Sequence, residues 1–163
     1  MKVIVAVDGA SCSMKAIDFI LERKWAKEDE FIILSVVEIL PRDIGVGHIY
    51  ATQLDQDAKT EAFEELTQNC QEKIEKVLPD NKVTSRVDLG MVVEQICTVA
   101  KEENADLIIM GSHGRKGFEH FLIGSVAEAV LKKAPCSVQI VKGKLPEHHC
   151  QEDEKDSVSQ KLS

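Results

Sequence analysis

The chain has 163 residues, 44% of them apolar and 29% charged, with a formal net charge of −8 at pH 7. That length suits one domain whose core needs no disulfide or metal staple, and an acidic balance without a basic stripe argues against a nucleic-acid surface. No apolar run reaches the roughly 18 residues of a membrane span, and the opening MKVIVAVDG meets Asp8 too early for a signal peptide, so the expectation is a cytoplasmic protein with no membrane partner.

Lys2–Val7 (KVIVAV) is a short continuous apolar run, the pattern of a strand buried on both faces. Ser13–Ala26 places Ala16, Ile17, Ile20, Leu21 and Trp25 at helical spacing, with Ser11 or Ser13 available as a cap. Phe31–Val37 (FIILSVV) is a second buried strand, followed by Pro41–Tyr50, a glycine-containing connection long enough to be a candidate lid. Thr52–Leu78 repeats Leu54, Ala58, Ala62, Leu66, Cys70, Ile74 and Leu78 every four residues. Phe63 and Val77 add three-residue steps that hold this stripe on one, core-facing side, and Pro79 ends the helix.

Lys82–Asp88 alternates, with Val83, Ser85 and Val87 on one side, as expected of a half-exposed edge strand. Met91–Glu103 is helical through Val93, Ile96, Cys97 and Ala100, and Asp106–Met110 (DLIIM) is a third buried strand. Ser125–Lys133 carries Val126, Ala129 and Val130, then lysines in its last turn and Pro135 beyond. Ser137–Val141 alternates weakly, with Val138 and Ile140 on one face. Residues 144–163 are polar and expected to be a disordered tail. Within the tail, His148-His149-Cys150 lacks a fourth ligand, so no metal site is assigned.

Five strands alternating with four helices predict an α/β domain over residues 1–143, its mainly parallel sheet covered on both faces. The five cysteines are widely spaced without a C-x-x-C pair, which fits reduced thiols. Cys12, Cys70, Cys97 and Cys136 fall in or beside predicted elements, where a thiol behaves as a small hydrophobe.

In an open parallel sheet, ligands sit beyond the carboxyl ends of strands where the strand order reverses. Here the first strand runs into Asp8-Gly9 and the fourth into GSHGRKGFEHFLIGSV, residues 111–126, which ends at the predicted start of the last helix. A helix N-terminus offers unpaired N–H groups and partial positive charge, and Gly124 there lets phosphate approach the backbone. Arg115 and Lys116 add charge nearby, and Asp8 suits a hydrogen bond to a sugar or base. Neither a P-loop nor G-x-G-x-x-G is present.

What fits is G-x2-G-x9-G-[ST], matched by Gly111, Gly114, Gly124 and Ser125. With VAVDGA, LSVVE, GMVVEQI, ADLIIMGSHGRKG and PCSVQIVK around it, the chain resembles a universal stress protein of the nucleotide-binding type over about residues 1–143. The resemblance implies an adenine nucleotide alpha hydrolase-like, Rossmann-like fold: a five-stranded parallel sheet in the order 3-2-1-4-5 with four helices. It also implies an ATP-type ligand (ATP, ADP or AMP, with or without Mg²⁺), and a homodimer joined through the last strand, Ser137–Val141.

By the same resemblance, Asp8 and the backbone near Val36 would hold the adenosine, and Gly111 and Gly114 would border the ribose and phosphates. Gly124, Ser125 and Val126 would bind phosphates at the helix start. Two positions depart from the pattern: Ser35 where relatives often have His, and Val92 where many have Pro. The implied role is a dimeric sensor or effector in stress response, with an unknown protein effector as partner and no catalytic residues. Two alternatives stay open: a slow ATP-hydrolysing or nucleotidyl-transfer enzyme, against which the absence of a HIGH-type or S-G-G-x-D motif counts, and a ligand-free dimeric interaction module.

Overall fold

The structure, a computed structural model, describes residues 1–39, 49–113 and 123–142, with only the backbone of 49–55. Along the chain come β1 (Lys2–Ala6), α1 (Ser11–Leu21), β2 (Glu30–Glu38), α2 (Ile49–Val77) and β3 (Lys82–Gly90). They are followed by α3 (Val92–Glu102), β4 (Leu107–Gly111), α4 (Ser125–Lys133) and β5 (Ser137–Val141). All strand pairs are parallel and the sheet order is β3-β2-β1-β4-β5.

The continuous apolar runs are explained by the two-residue period of a strand, which sends successive side chains to opposite faces. Val3, Val5, Phe31, Ile33 and Ile109 pack beneath α1 and α2 with Ile17, Ile20, Cys70 and Ile74. Ile4, Ala6, Ile32, Leu34, Ile108 and Met110 pack on the other face with Ile96, Val99, Ala127 and Val130 of α3 and α4. Two helices on each face follow from the order reversal, because right-handed crossovers that move in opposite directions land on opposite faces.

The sequence expectations need three corrections. First, α1 ends at Leu21, so Trp25 lies beyond it. Its indole N–H donates to the Ile20 carbonyl at 2.9 Å, an acceptor it shares with the Arg23 N–H at 3.3 Å, and its ring meets Phe31 edge-on at 5.1 Å.

Second, neither Ser11 nor Ser13 caps α1; the N-cap is Ala10, without a side-chain hydrogen bond. Third, the four-residue stripe of α2 is only partly core-facing: Phe63, Thr67, Cys70 and Ile74 are buried, whereas Ala58, Ala62 and Val77 are exposed. A four-residue step drifts about 40° round a helix, so an unbroken series cannot keep one face. Leu66 also sits against Gly9, just past the end of β1, so the turns before it rise beyond that strand. Leu54, residues 41–48 of the proposed lid and the tail 144–163 lie outside what is described.

Candidate functional site

At the order reversal the ends of β1 and β4 are neighbours, in register from Val3↔Leu107 to Ala6↔Met110. Beyond β1 the chain turns through Asp8 and Gly9, whose φ of +81° is a left-handed conformation that favours glycine. The Asp8 carboxylate accepts the Ala10 N–H at 3.0 Å, an Asx-type turn. Ser13 braces it: its hydroxyl accepts the Asp8 N–H at 3.2 Å and donates to the Ala10 carbonyl at 3.0 Å. The sequence offers Ser11 or Ser13 as a cap; in the structure Ser13 instead braces Asp8.

Beside this turn, β4 ends at Gly111. A Cβ there would lie 2.4 Å from the Cys12 carbonyl oxygen and 2.7 Å from the Ser13 nitrogen. The residue type at Gly111 is therefore set first by the close approach of α1, before any ligand is considered. Ser112, 3% exposed, is the hinge of the loop. Its N–H donates to the Val141 carbonyl at 2.9 Å, and its carbonyl accepts the Gly124 N–H at 2.7 Å, so the loop leaves and returns at one point. The Ser112 hydroxyl and His113 Nδ1 are 3.1 Å apart. Sequence reasoning passed over Ser112, and its only signal was its place inside GSHG.

Gly124 is the N-cap of α4, with φ −74°, ψ 155° and no side-chain cap. Its own N–H is given to Ser112, and the first helical bond runs from Glu128 N–H to the Gly124 carbonyl; being a glycine, Gly124 offers no side chain to cap the N–H groups of Ser125, Val126 and Ala127 at the helix start. Ser125 is inside the helix rather than its cap, and Ser125 and Val126 are both exposed.

Val36 lies at the same end of the sheet, near the end of β2. The β1–β2 register ends at Ala6↔Leu34, closed by the Val7 N–H on the Leu34 carbonyl at 2.9 Å. Alternate residues of a strand address alternate neighbours, so the N–H and C=O of Val36 point to the β1 side, two residues past the last pair. Ser35 is 1% exposed and donates to the Val7 carbonyl at 2.8 Å. It ties the ends of β1 and β2 together.

Asp8, Val36, Gly111, Gly124, Ser125 and Val126 thus all lie at the carboxyl end of the sheet, where hydrogen bonds and close contacts link Asp8 to α1, α1 to Gly111, and Ser112 to Gly124. Gly114, Arg115 and Lys116 lie outside the described residues.

Residues 1–142 match the universal stress protein family. Universal stress protein MJ0577 of Methanocaldococcus jannaschii is 34% identical over 155 residues, covering 88% of this chain and 95% of that protein. Its solved structure superposes with a TM-score of 0.67 at 30% identity, over 88% of this chain and 96% of that one. Two more distant structures share the fold. A universal stress protein in complex with cAMP has a TM-score of 0.63 at 21% identity, covering 86% of this chain and 96% of that one. A family protein from Arabidopsis thaliana with AMP bound has a TM-score of 0.60 at 19%, covering 87% and 91%. A family match over almost the whole sheet-and-helix unit, with a relative aligned nearly end to end, makes this chain a member of the universal stress protein family.

Proposed function

We propose that the crevice binds an adenine nucleotide and that the protein acts as a dimeric, nucleotide-responsive stress protein rather than a catalyst. The observation that carries the reading is the α4 N-terminus. Its first N–H groups follow an N-cap glycine that has no side chain to cap them, and whose missing Cβ would stand 3.0 Å from the Ser112 oxygen, which suits phosphate. Gly124, Ser125 and Val126 are assigned to the phosphates, Gly111 and, by its place in the motif, Gly114 to the ribose–phosphate border, and Asp8 to the ribose.

The adjacent N–H and C=O of Val36 suit adenine, whose N6 amino group donates beside the N1 acceptor; guanine reverses that order with its O6 acceptor. Two related folds crystallised with AMP and with cAMP agree with this choice of base. The Ser112–His113 pair does not argue for catalysis, because a hydroxyl on a residue 3% exposed is packed inside the protein rather than offered to a substrate.

Dimerisation through β5 is supported by the contrast between the two sheet edges. At β3 the Val83 carbonyl already accepts from Gln71 Nε2 at 3.1 Å, and the Lys82–Glu30 and Arg86–Asp88 ion pairs flank the strand. Such charges blunt an edge, whereas SVQIV in β5 has none and no proline.

Calorimetric titration of nucleotide-free protein with ATP and GTP, alongside Gly124→Val, tests the site. The expected result is saturable binding of ATP, at least tenfold weaker binding of GTP (about 1.4 kcal/mol), and loss of ATP binding in a variant with wild-type circular dichroism. No heat with ATP would leave the ligand-free interaction module as the better reading.

A further inference from the structure

An N-cap side chain reaches the N–H groups of the first helical turn by way of its Cβ, so the Cβ direction marks where an acceptor for those groups sits. At Gly124 a Cβ would stand 3.0 Å from the Ser112 carbonyl oxygen, 3.4 Å from His113 Cα and 3.8 Å from His113 Cδ2. The half-buried His113 ring therefore lies against the start of α4. Cδ2, its nearest ring atom to that place, is bonded to Nε2. The other ring nitrogen, Nδ1, is 3.1 Å from the Ser112 hydroxyl.

That second contact selects the tautomer. Ser112 is 3% exposed, and among the described residues its hydroxyl is hydrogen-bonded to His113 alone. Were the hydroxyl to accept from an Nδ1–H, its own hydrogen would be buried without an acceptor, which is costly. Donation from the hydroxyl to Nδ1 satisfies both groups and leaves the ring proton of a neutral imidazole on Nε2.

We propose that His113 is a phosphate-contacting residue, donating its Nε2–H to a phosphate oxygen held at the start of α4, with the Ser112 hydroxyl fixing the tautomer that makes it a donor. The proposal rests on the nucleotide reading and adds to it a side chain that tells a nucleotide from its nucleoside. A hydrogen bond to a charged oxygen is among the stronger ones, whereas a nucleoside has no phosphate for His113 to meet.

Calorimetric titration of wild type, His113→Ala and His113→Gln with ATP and with adenosine tests it, thermal melting confirming that each variant is folded. Expected is ATP binding weakened by about tenfold or more in His113→Ala (about 1.4 kcal/mol), adenosine binding changed by less than about twofold, and much of the ATP affinity restored by His113→Gln, whose amide returns a donor. Nitrogen NMR of the imidazole, assigned through its loss in His113→Gln, should show the Nε2–H tautomer. Wild-type ATP affinity in His113→Ala, an equal loss of ATP and adenosine, or an Nδ1–H tautomer overturns this role for His113 while the nucleotide reading stands. Failure of the wild type to bind ATP overturns both.

Discussion

Replacing Gly111 by alanine separates the two roles that a motif glycine can have. The added Cβ would stand 2.4 Å from the Cys12 carbonyl oxygen, 2.6 Å from its carbon and 2.7 Å from the Ser13 nitrogen, all backbone atoms of the first turn of α1. Ordinary contact needs about 3.5 Å, so α1 must retreat by roughly 1 Å. Gly111 is not in the left-handed region, so the cost is steric. Overpacking of this kind costs about 1–3 kcal/mol, and the Ser13 bonds to Asp8 and Ala10 are loosened with it, so we expect about 3 kcal/mol in all. For a domain of this size that lowers Tm by about 6–12 °C. Gly124→Ala is the control: its Cβ meets Ser112 oxygen at 3.0 Å, its φ and ψ suit alanine, and its cost should stay below about 1 kcal/mol. Thermal unfolding followed by circular dichroism reads both. A Gly111→Ala protein melting within about 2 °C of wild type would refute the reasoning, and the glycine would then need a ligand to explain it.

Asp29 is 6% exposed and holds the N-terminal ammonium at 2.6 Å and the Ala26 N–H at 2.8 Å. The ammonium, first, and the amide lower its carboxyl, so its contribution is complete above the unfolded value of about 3.9 and is lost as pH falls through the lower folded value. The amine is raised by the same bond, so its share is lost only as pH rises through its elevated value. Asp29→Asn should cost about 2 kcal/mol near neutrality and flatten the acid limb of stability against pH; an unchanged acid limb counts against the pair. Ser35→Ala leaves the Val7 carbonyl without its 2.8 Å donor and should cost about 1–2 kcal/mol in urea denaturation. Gln139→Lys adds a charge to the β5 edge; if the proposed β5 dimer holds, sedimentation should show a dimer for the wild type and a monomer for the variant, and a variant dimer of unchanged strength would place the interface elsewhere.

Most of the fold was legible because one signal, the apolar run interrupted by glycine or an aspartate, repeats for each buried strand. β5 and α4 agree with their predicted bounds, Ser137–Val141 and Ser125–Lys133. The alternation of Lys82–Asp88 also identified an edge, since only a strand with one partner and one wet face keeps polar residues at every second place. The misses have a common cause. Trp25 has helical spacing from Ile17 and Leu21, but spacing cannot reveal that its indole reaches back to the Ile20 carbonyl and replaces a helical hydrogen bond. In α2 the alanines at 58 and 62 continue the stripe on paper, yet their exposure depends on where the helix stands along the sheet, a tertiary quantity.

Where the candidate site's residues fall in the fold was legible for a different reason. Its parts are mainly backbone: the N–H groups of α4, the amide edge of Val36, the carbonyl of Ser112. A sequence announces these only through the residues that stay out of the way. Gly111 and Gly124 look alike in the motif, but one makes room for the chain's own helix and the other is the N-cap of α4, where it offers no capping side chain. Conversely Ser13, Ser35 and Ser112 carry no motif weight, although two of them tie the end of β1 to its neighbours and the third fixes both ends of the loop. Substituting Ser13 or Ser35, which act through their hydroxyls, should disturb the candidate site through its frame, by changing stability along with affinity; Ser112 ties the loop through its backbone. Blocking the α4 N-terminus should change affinity alone, and that difference is the physical line between the site and its support.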